Sequence, residues 1–404
     1  MSNDRVLGIN ALGRIGKLTL WHHLGGNDFD AFVMNAGRNV GSNMDAVIQY
    51  LTKDSTYGPL HKFLHGFAGR PDVQVLDEAG GLLQIEGKEV RILREVRNPK
   101  DIPWREYGVG IVVDTTGVFK DPTLPAEASA GALRGHLAAG ARVAIQSSAF
   151  KIKDKSASMP DDALMLINGI NNEQFDAAKH TMVSCASCTT TGLAHMVKPL
   201  LENELTRNIL TMGMGTIHAV TNTQSVLDSV PAAGAKDLRK TRSILNNIIL
   251  TSTNAGKALE EVMPEVRHIG FMADSVRVPT TTGSLIVLNA TLQTEINADG
   301  TPAVNREVLA KIYKDASEGA YKGLVKYSED QNVSTDMIGE DAAIVIEARE
   351  IHTRTGFIKV RLPDRKGPVD VPVTHIKIFG WYDNEMGSYT HRMGELTCYV
   401  KNAL

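Results

Sequence analysis

Short apolar runs recur along the first half of the chain. Val6-Leu7-Gly8-Ile9, Ala31-Phe32-Val33-Met34-Asn35 and residues 110–115, 142–146 and 164–167 are apolar with little polar alternation. Such runs fit strands of a parallel sheet covered on both faces. A helical stretch through Leu24 follows the first run. Beyond Arg277 the pattern changes. Residues 284–292, 343–348, 356–362 and 374–381 read as successive strands, with one helix at about 303–317. Strands in succession predict an antiparallel sheet and an α+β second half. Residues 209–220 read as a further strand. The tail, 387–400, reads as a helix despite its β-rich end.

One junction carries chemistry. Thr181-Met182-Val183 reads as a strand, and Leu193, Met196, Val197, Leu200 and Leu201 form the apolar stripe of a helix. Ser184-Cys185-Ala186-Ser187-Cys188-Thr189-Thr190-Thr191 lies between them. Cys188 therefore starts a helix, where unpaired N–H groups and the macrodipole favour an anion. The expectation is a thiol of lowered pKa beside hydroxyls that bind phosphate. The competing reading is an inert buried cysteine.

The first strand ends at Asn10 and runs into Ala11-Leu12-Gly13-Arg14-Ile15-Gly16. This is the glycine-rich turn of a dinucleotide fold with alanine at its first glycine. Gly13 would let backbone approach a pyrophosphate, and Gly16 would allow close helix–strand packing. An ordinary strand–turn–helix is the plain alternative. The second strand ends Asn35-Ala36-Gly37-Arg38, with no carboxylate for a ribose hydroxyl and an arginine two residues on. That arrangement predicts acceptance of NADP beside NAD. Later strand ends carry Thr116-Gly117 and Ser147, where open α/β sheets bind ligands.

His218 could pair with Cys188 and act as acid and base. Thr221, Thr223, Arg239, Arg242, Thr253 and Arg277 offer donors suited to phosphate. Each is also open to reading as a structural or surface residue.

The 404 residues balance 43 basic against 46 acidic side chains, a formal net charge of -3. Nothing in that balance calls for nucleic acid or an anionic membrane. No apolar run is long enough to span a bilayer. Asp4 and Arg5 lead straight into a strand, unlike a secretory signal. Three cysteines do not make a disulfide framework and point to the cytoplasm. No metal is expected, because no histidine pair has ligand spacing and Cys398 is the only further cysteine.

Together these segments resemble a phosphorylating glyceraldehyde-3-phosphate dehydrogenase, nearly end to end. The resemblance rests on INALGRIG, KDSTYG, VDTTGVF, SCASCTTTGLA, TIHAVTNTQ, VRVPT and WYDNEMG, in family order. It implies an α/β Rossmann-type dinucleotide-binding domain (residues 1–187 with 384–404). It also implies an α+β catalytic domain with a mainly antiparallel sheet (188–383), and a homotetramer. By position it makes Cys188 the nucleophile and His218 its activator. Thr221, Thr223 and Arg277, with Arg239 as an addition, match the substrate-phosphate site. Ser187, Thr189, Thr253 and Asn254 fall around the attacking inorganic phosphate. Arg14 and Ile15 match the pyrophosphate turn; Asn10, Gly13, Ala36, Arg38, Arg97, Thr116, Gly117 and Ser147 fall at the cofactor site. Asn384 matches the residue that orients the nicotinamide amide.

The departures are Cys185, Thr191 and Gly192 in a segment that commonly reads SNASCTTNCLAP. Ala36 stands for the ribose acid, and Asn254 stands for a glycine, placing a side chain in the inorganic-phosphate turn. Extra length is expected near 121–135, 152–162 and 363–373. The aldehyde could be glyceraldehyde 3-phosphate or erythrose 4-phosphate, and arsenate could replace phosphate. A semialdehyde dehydrogenase is disfavoured by the paired phosphate sites. A reading of another class is a low-turnover nucleotide-binding redox sensor, in which Cys185 captures Cys188 as a disulfide.

Overall fold

In the computed structural model, which describes residues 5–404, the apolar runs of the first half assemble into one sheet. Asp4 lies outside the described residues. Across the sheet the order is Ala163–Met165, Met182–Ser184, Val143–Gln146, Ile111–Asp114, Val6–Asn10, Ala31–Asn35 and Lys88–Leu93, then Leu82–Ile85 and Val73–Asp77. Neighbours through Lys88–Leu93 pair in parallel. The last two strands join antiparallel. Ile111–Asp114 and Val143–Gln146 are buried at every position, which explains their lack of alternation.

The sequence reading missed Val73–Asp77, Leu82–Ile85 and Lys88–Leu93. Val73–Asp77 is exposed at four of its five positions, so burial imposes no apolar signal on it. It also missed the helix Met44–Thr52, whose start is capped by the Asn43 side chain accepting from the Ala46 N–H at 3.0 Å.

Residues up to Ser187 and Thr390–Leu404 form one compact unit, and Cys188–Tyr389 form another. Residues 384–389 thus go with the second unit. Asp383 holds that turn there: it accepts from the Thr282 hydroxyl at 2.7 Å, from the Glu385 N–H at 3.0 Å and from the Gly339 N–H at 2.8 Å.

The second unit's sheet runs Ile249–Thr251, Gly270–Val278, Ile209–Ala219, Ser284–Gln293, Pro368–Tyr382, Ile344–Glu347, Val325–Ser328. His352–Arg361 pairs alongside Pro368–Tyr382. In this sheet, among the described residues, the only parallel strand pairs are Ile209–Ala219 with Gly270–Val278 and Val325–Ser328 with Ile344–Glu347. Ser284–Gln293 alternates buried and half-buried positions, the mark of a sheet packed on one face. The helix Cys188–Glu202 packs closely here. A Cβ on Gly192 would come within 3.2 Å of Ile344 and 3.3 Å of Ile286, so this glycine permits the approach.

Several boundaries differ from the sequence reading. The helix expected from 303 runs Arg306–Glu318, because Asn305 caps it by accepting from the Val308 N–H at 2.9 Å. The expected insertion at 363–373 is a loop only to 367; the rest is strand, with Arg361 opposite Pro368. The tail opens as a π-helical turn, Met386–His391, and continues as the α-helix Arg392–Ala403. Thr397 fits that helix by donating its hydroxyl to the Met393 carbonyl at 2.7 Å. Among the described residues no helix is long and apolar enough to cross a membrane.

Candidate active site

The glycine-rich turn has the form a pyrophosphate needs. Ala11, in place of the first glycine, has φ 95°, a region that costs a side chain about 1–2 kcal/mol. Gly16 is obligatory: a Cβ there would lie 2.2 Å from the Ala11 carbonyl oxygen and 2.9 Å from the Thr115 hydroxyl. A Cβ on Gly13 would meet nothing within 4 Å, so protein packing does not require that glycine. Gly13 precedes the helix Arg14–Gly25 with no side-chain cap and no acid in the first turn. Its leading N–H groups thus suit an anion.

Arg14 reaches the hairpin Lys53–Pro59 instead of open space. It donates to Asp54 at 3.1 Å and to the Thr56 hydroxyl at 2.8 Å. Lys17 meets the same Asp54 at 2.9 Å. Burial opposes that carboxylate, but Lys17, backbone N–H groups and Arg14 outweigh it and hold its pKa below the ordinary value. KDSTYG therefore braces the turn, a role the sequence reading did not give Asp54.

A cavity of about 530 Å³ adjoins the turn, lined by Ala11, Gly13, Ala36, Arg38, Val47 and Tyr50 among others. Arg38 is exposed and lines this cavity, and among the described residues its guanidinium makes no hydrogen bond or ion pair. Beneath, Asn35 donates to Asn10 at 2.9 Å, and Asn10 to Asp114 at 2.8 Å, tying three adjacent strand ends together. Asp114 also accepts the Thr116 hydroxyl at 2.6 Å, and Gly117 follows at φ 63°. Ser147 is buried, its N–H bonded to the Asp114 carbonyl at 2.9 Å, while Arg97 is exposed.

In the second unit Cys188 is the first residue of its helix and half-buried. Its Sγ lies 3.4 Å from Nε2 of His218, which projects from the strand Ile209–Ala219. The other ring nitrogen, Nδ1, lies 2.8 Å from the Ala219 carbonyl. A carbonyl can only accept, so Nδ1 carries the proton and Nε2 offers its lone pair to the thiol. Arg277 also touches the Nδ1 side of the ring and donates to the Ala219 carbonyl at 3.0 Å.

The charges correct the sequence expectation. Burial pushes the Cys188 thiol up, opposed only in part by Arg277 and Thr189. Burial, with Arg277 second, lowers His218 to about 3. Burial thus disfavours the thiolate and the imidazolium separately, and each charge is stabilised only when the other forms beside it.

Tyr382, to which the sequence pattern assigns no role, is fully buried beside this pair. Its hydroxyl lies 3.0 Å from Thr189 and 2.8 Å from Thr216. Ser388 donates to the Cys188 carbonyl at 2.7 Å. These bonds fix the start of the helix on which the thiol sits.

Thr221 and Thr223 lie with hydroxyls 3.0 Å apart, and Gln224 bonds both, at 3.1 and 2.9 Å. Gln224, like Asp54 and Tyr382, has no role in the sequence reading. Arg239 is exposed and paired with Asp237 at 2.8 Å. Thr253 accepts from the Ala255 N–H at 3.1 Å, opening the helix Ala255–Val262. Asn254 is exposed with φ -99°, so glycine is not needed there. Ser187 is half-buried at the edge of the first unit.

Asn384 is buried, and its Oδ1 accepts from Ser284 at 2.8 Å and Thr282 at 3.2 Å. Its Nδ2 has no partner. A buried amide donor left open asks for a ligand acceptor, which fits the nicotinamide role.

Cys185 is buried, and burial alone pushes its thiol far up. Its backbone bonds Gln146 at 3.0 Å, and Ala186 beyond it takes φ 54°. Cys185, Cys188 and Cys398 are all free thiols. So reluctant a thiol weighs against disulfide exchange at Cys185.

Two family models match the chain. Glyceraldehyde 3-phosphate dehydrogenase, NAD binding domain, matches residues 5–122, and the C-terminal domain of the same family matches 187–384. A glyceraldehyde-3-phosphate dehydrogenase of Streptomyces coelicolor is 33% identical over 400 residues, covering 98% of this chain and 99% of the relative. One of Geobacillus stearothermophilus is 33% identical over 396 residues, covering 98% and 97%. One of Sclerotinia sclerotiorum is 32% identical over 394 residues, covering 98% and 96%.

Proposed function

The chain belongs to the glyceraldehyde-3-phosphate dehydrogenase family of NAD-dependent oxidoreductases, and from that premise we propose that Cys188 and His218 carry a phosphorylating oxidation of glyceraldehyde 3-phosphate. The observation that supports it most is Cys188 Sγ at 3.4 Å from His218 Nε2, with Arg277 on the far side of the ring. The thiol adds to the aldehyde carbon while its proton passes to Nε2. Imidazolium and thiolate arise together, so each stabilises the other in a site that resists either alone. His218 returns that proton from Nε2 to the hemithioacetal oxygen, holds the hydroxyl by a hydrogen bond, and takes the proton back as the carbonyl re-forms. NAD or NADP, when bound, supplies the acceptor for the aldehyde's hydride. The resulting thioester on Cys188 is cleaved by inorganic phosphate, which forms the acyl phosphate and returns the thiolate.

Thr221, Thr223 and Arg277 are assigned to the substrate's own phosphate, and Arg239 supplements them once it leaves Asp237. Ser187, Thr189 and Thr253, with Asn254, are assigned to inorganic phosphate. The uncapped helix start after Gly13, the adjoining cavity and the open Asn384 amide support the dinucleotide assignment. Ile15, Thr116, Gly117, Ser147 and Arg97 complete that set. Ala36 and the unpaired Arg38 support acceptance of NADP. The family supports a homotetramer, and three free thiols fit a cytoplasmic setting.

The test is an initial-rate panel. Glyceraldehyde 3-phosphate and erythrose 4-phosphate are each supplied with NAD or NADP, with phosphate, arsenate or neither. Phosphate-dependent reduction of the dinucleotide by glyceraldehyde 3-phosphate, abolished in Cys188→Ser, is the expected result. A higher rate with erythrose 4-phosphate or arsenate moves the substrate assignment. Activity undiminished in Cys188→Ser overturns the mechanism.

A further inference from the structure

His23 is unusual within the first unit. It is 1% exposed, and neither ring nitrogen has a hydrogen-bond partner. An imidazole always carries at least one N–H, so its burial without a partner is unfavourable. Its ring is instead boxed by apolar and aromatic edges: Phe29 stands edge-on at 5.1 Å and His22 at 4.8 Å.

Two further ligand-type groups converge there. A ring nitrogen of His23, a carboxylate oxygen of Asp28 and Sγ of Cys398 lie within 4.8 Å of one another. Asp28 comes from the loop after the helix Arg14–Gly25, and Cys398 from the helix Arg392–Ala403. The two helices meet closely, since a Cβ on Gly394 would collide with the His22 ring. Cys398, one turn on from Gly394, falls on the same face. No local pattern in the sequence marks this set, because Cys398 lies far along the chain from His23 and Asp28.

We propose that His23, Asp28 and Cys398 bind one divalent transition-metal ion, with Zn2+ the best match to this nitrogen, oxygen and sulfur set. Binding forms Zn–N, Zn–O and Zn–S bonds as the Cys398 thiol gives its proton to solvent and the ion sheds waters. No electrons move. Asp28 and the Cys398 thiolate neutralise the ion's two charges, and a water completes four-coordination. Ligand contacts of 2.0–2.3 Å require the three groups to draw together by roughly an ångström. Of the neighbouring cations, Lys88 is bound to the His23 carbonyl at 3.2 Å and Lys401 lies over Phe29 at 5.3 Å. The ion would clip the C-terminal helix to the first helix.

The test uses the full chain carrying Cys188→Ser, so that the thiol beside His218 captures no metal. Zn2+ is titrated against a chromophoric chelator, Co2+ is followed by thiolate-to-metal absorption, and thermal unfolding is read with and without Zn2+. One Zn2+ per chain, a thiolate–Co2+ band and a raised Tm are expected. Cys398→Ser should remove the band, and Asp28→Asn should weaken binding at least about 10-fold. Absence of stoichiometric binding in the Cys188→Ser chain overturns the proposal, as does unchanged affinity in Asp28→Asn. The second variant decides the matter even where Cys398→Ser fails to fold.

Discussion

Nε2 of His218 faces Sγ of Cys188 at 3.4 Å, while Nδ1 of the same ring shares the Ala219 carbonyl with Arg277. That carbonyl fixes the tautomer, so the lone pair and the thiol proton are already aligned. His218→Gln keeps a polar side chain but cannot take the proton. We expect kcat to fall by about 10²–10⁴-fold, with alkylation of Cys188 by iodoacetamide slowed in parallel. A rate of alkylation equal to the parent's would show that the thiol is activated without the imidazole.

Acid should weaken the fold through the same residue. His218 titrates at about 3 in the folded protein against an ordinary 6.5, because burial and then Arg277 disfavour its charge. A depressed pKa means the unfolded chain binds the proton more readily. The contribution is therefore complete above pH 6.5 and lost as pH falls toward 3. Between pH 6.5 and 5 the loss is roughly 2 kcal/mol. Urea unfolding at the two pH values should show it, and His218→Gln should shrink the pH dependence by a similar amount.

The substrate-phosphate assignment makes Gln224 a positioning residue. It holds Thr221 and Thr223 together by bonds of 3.1 and 2.9 Å. Gln224→Ala leaves both hydroxyls present but untethered. KM for the phosphorylated aldehyde should rise about 5–10-fold, the worth of one hydrogen bond, with kcat little changed. A fall in kcat with KM unchanged would place Gln224 in the chemistry instead.

How far the sequence could reveal this site follows from where each signal resides. Cys188 and His218 were visible because each lies in a run whose local pattern names an element, and the resemblance linked them. The parallel strands were visible because Ile111–Asp114 and Val143–Gln146 are buried throughout. Val73–Asp77, mostly exposed, had no such pattern to show. Tyr382 and Gln224 act through contacts that only the fold creates; Tyr382 meets Thr189 across 193 positions of sequence. The Cys188 shift runs opposite to the sequence expectation for a related reason. A helix start argues for a low pKa, but burial, which spacing does not reveal, outweighs it.

Gly16 tests the turn itself. Gly16→Ala would drive a methyl to 2.2 Å from the Ala11 carbonyl oxygen, where Ala11 already sits at φ 95°. The backbone has to move, and overpacking of this kind costs about 1–3 kcal/mol. Dinucleotide affinity should fall with stability, whereas Gly13→Ala, meeting no protein atom within 4 Å, should reduce affinity with Tm unchanged. Equilibrium binding and thermal unfolding of the two variants separate these outcomes.

Cofactor choice rests on what faces the cavity beside the turn. Ala36 and Arg38 line it, and Arg38 has no partner among the described residues. A 2′-phosphate would gain a charge-assisted hydrogen bond from that guanidinium, worth about 1.5–3 kcal/mol, or roughly 10–100-fold. Arg38→Ala should lower kcat/KM for NADP by that factor and leave NAD within about 2-fold. Ala36→Asp should act in the opposite sense on the two dinucleotides, since a carboxylate accepts from a ribose 2′-hydroxyl and repels a phosphate. The parent's NADP/NAD ratio, measured as kcat/KM under one buffer, sets the scale for both. A parent that favours NAD more than tenfold, with Arg38→Ala changing neither value, would remove Arg38 from the cofactor site.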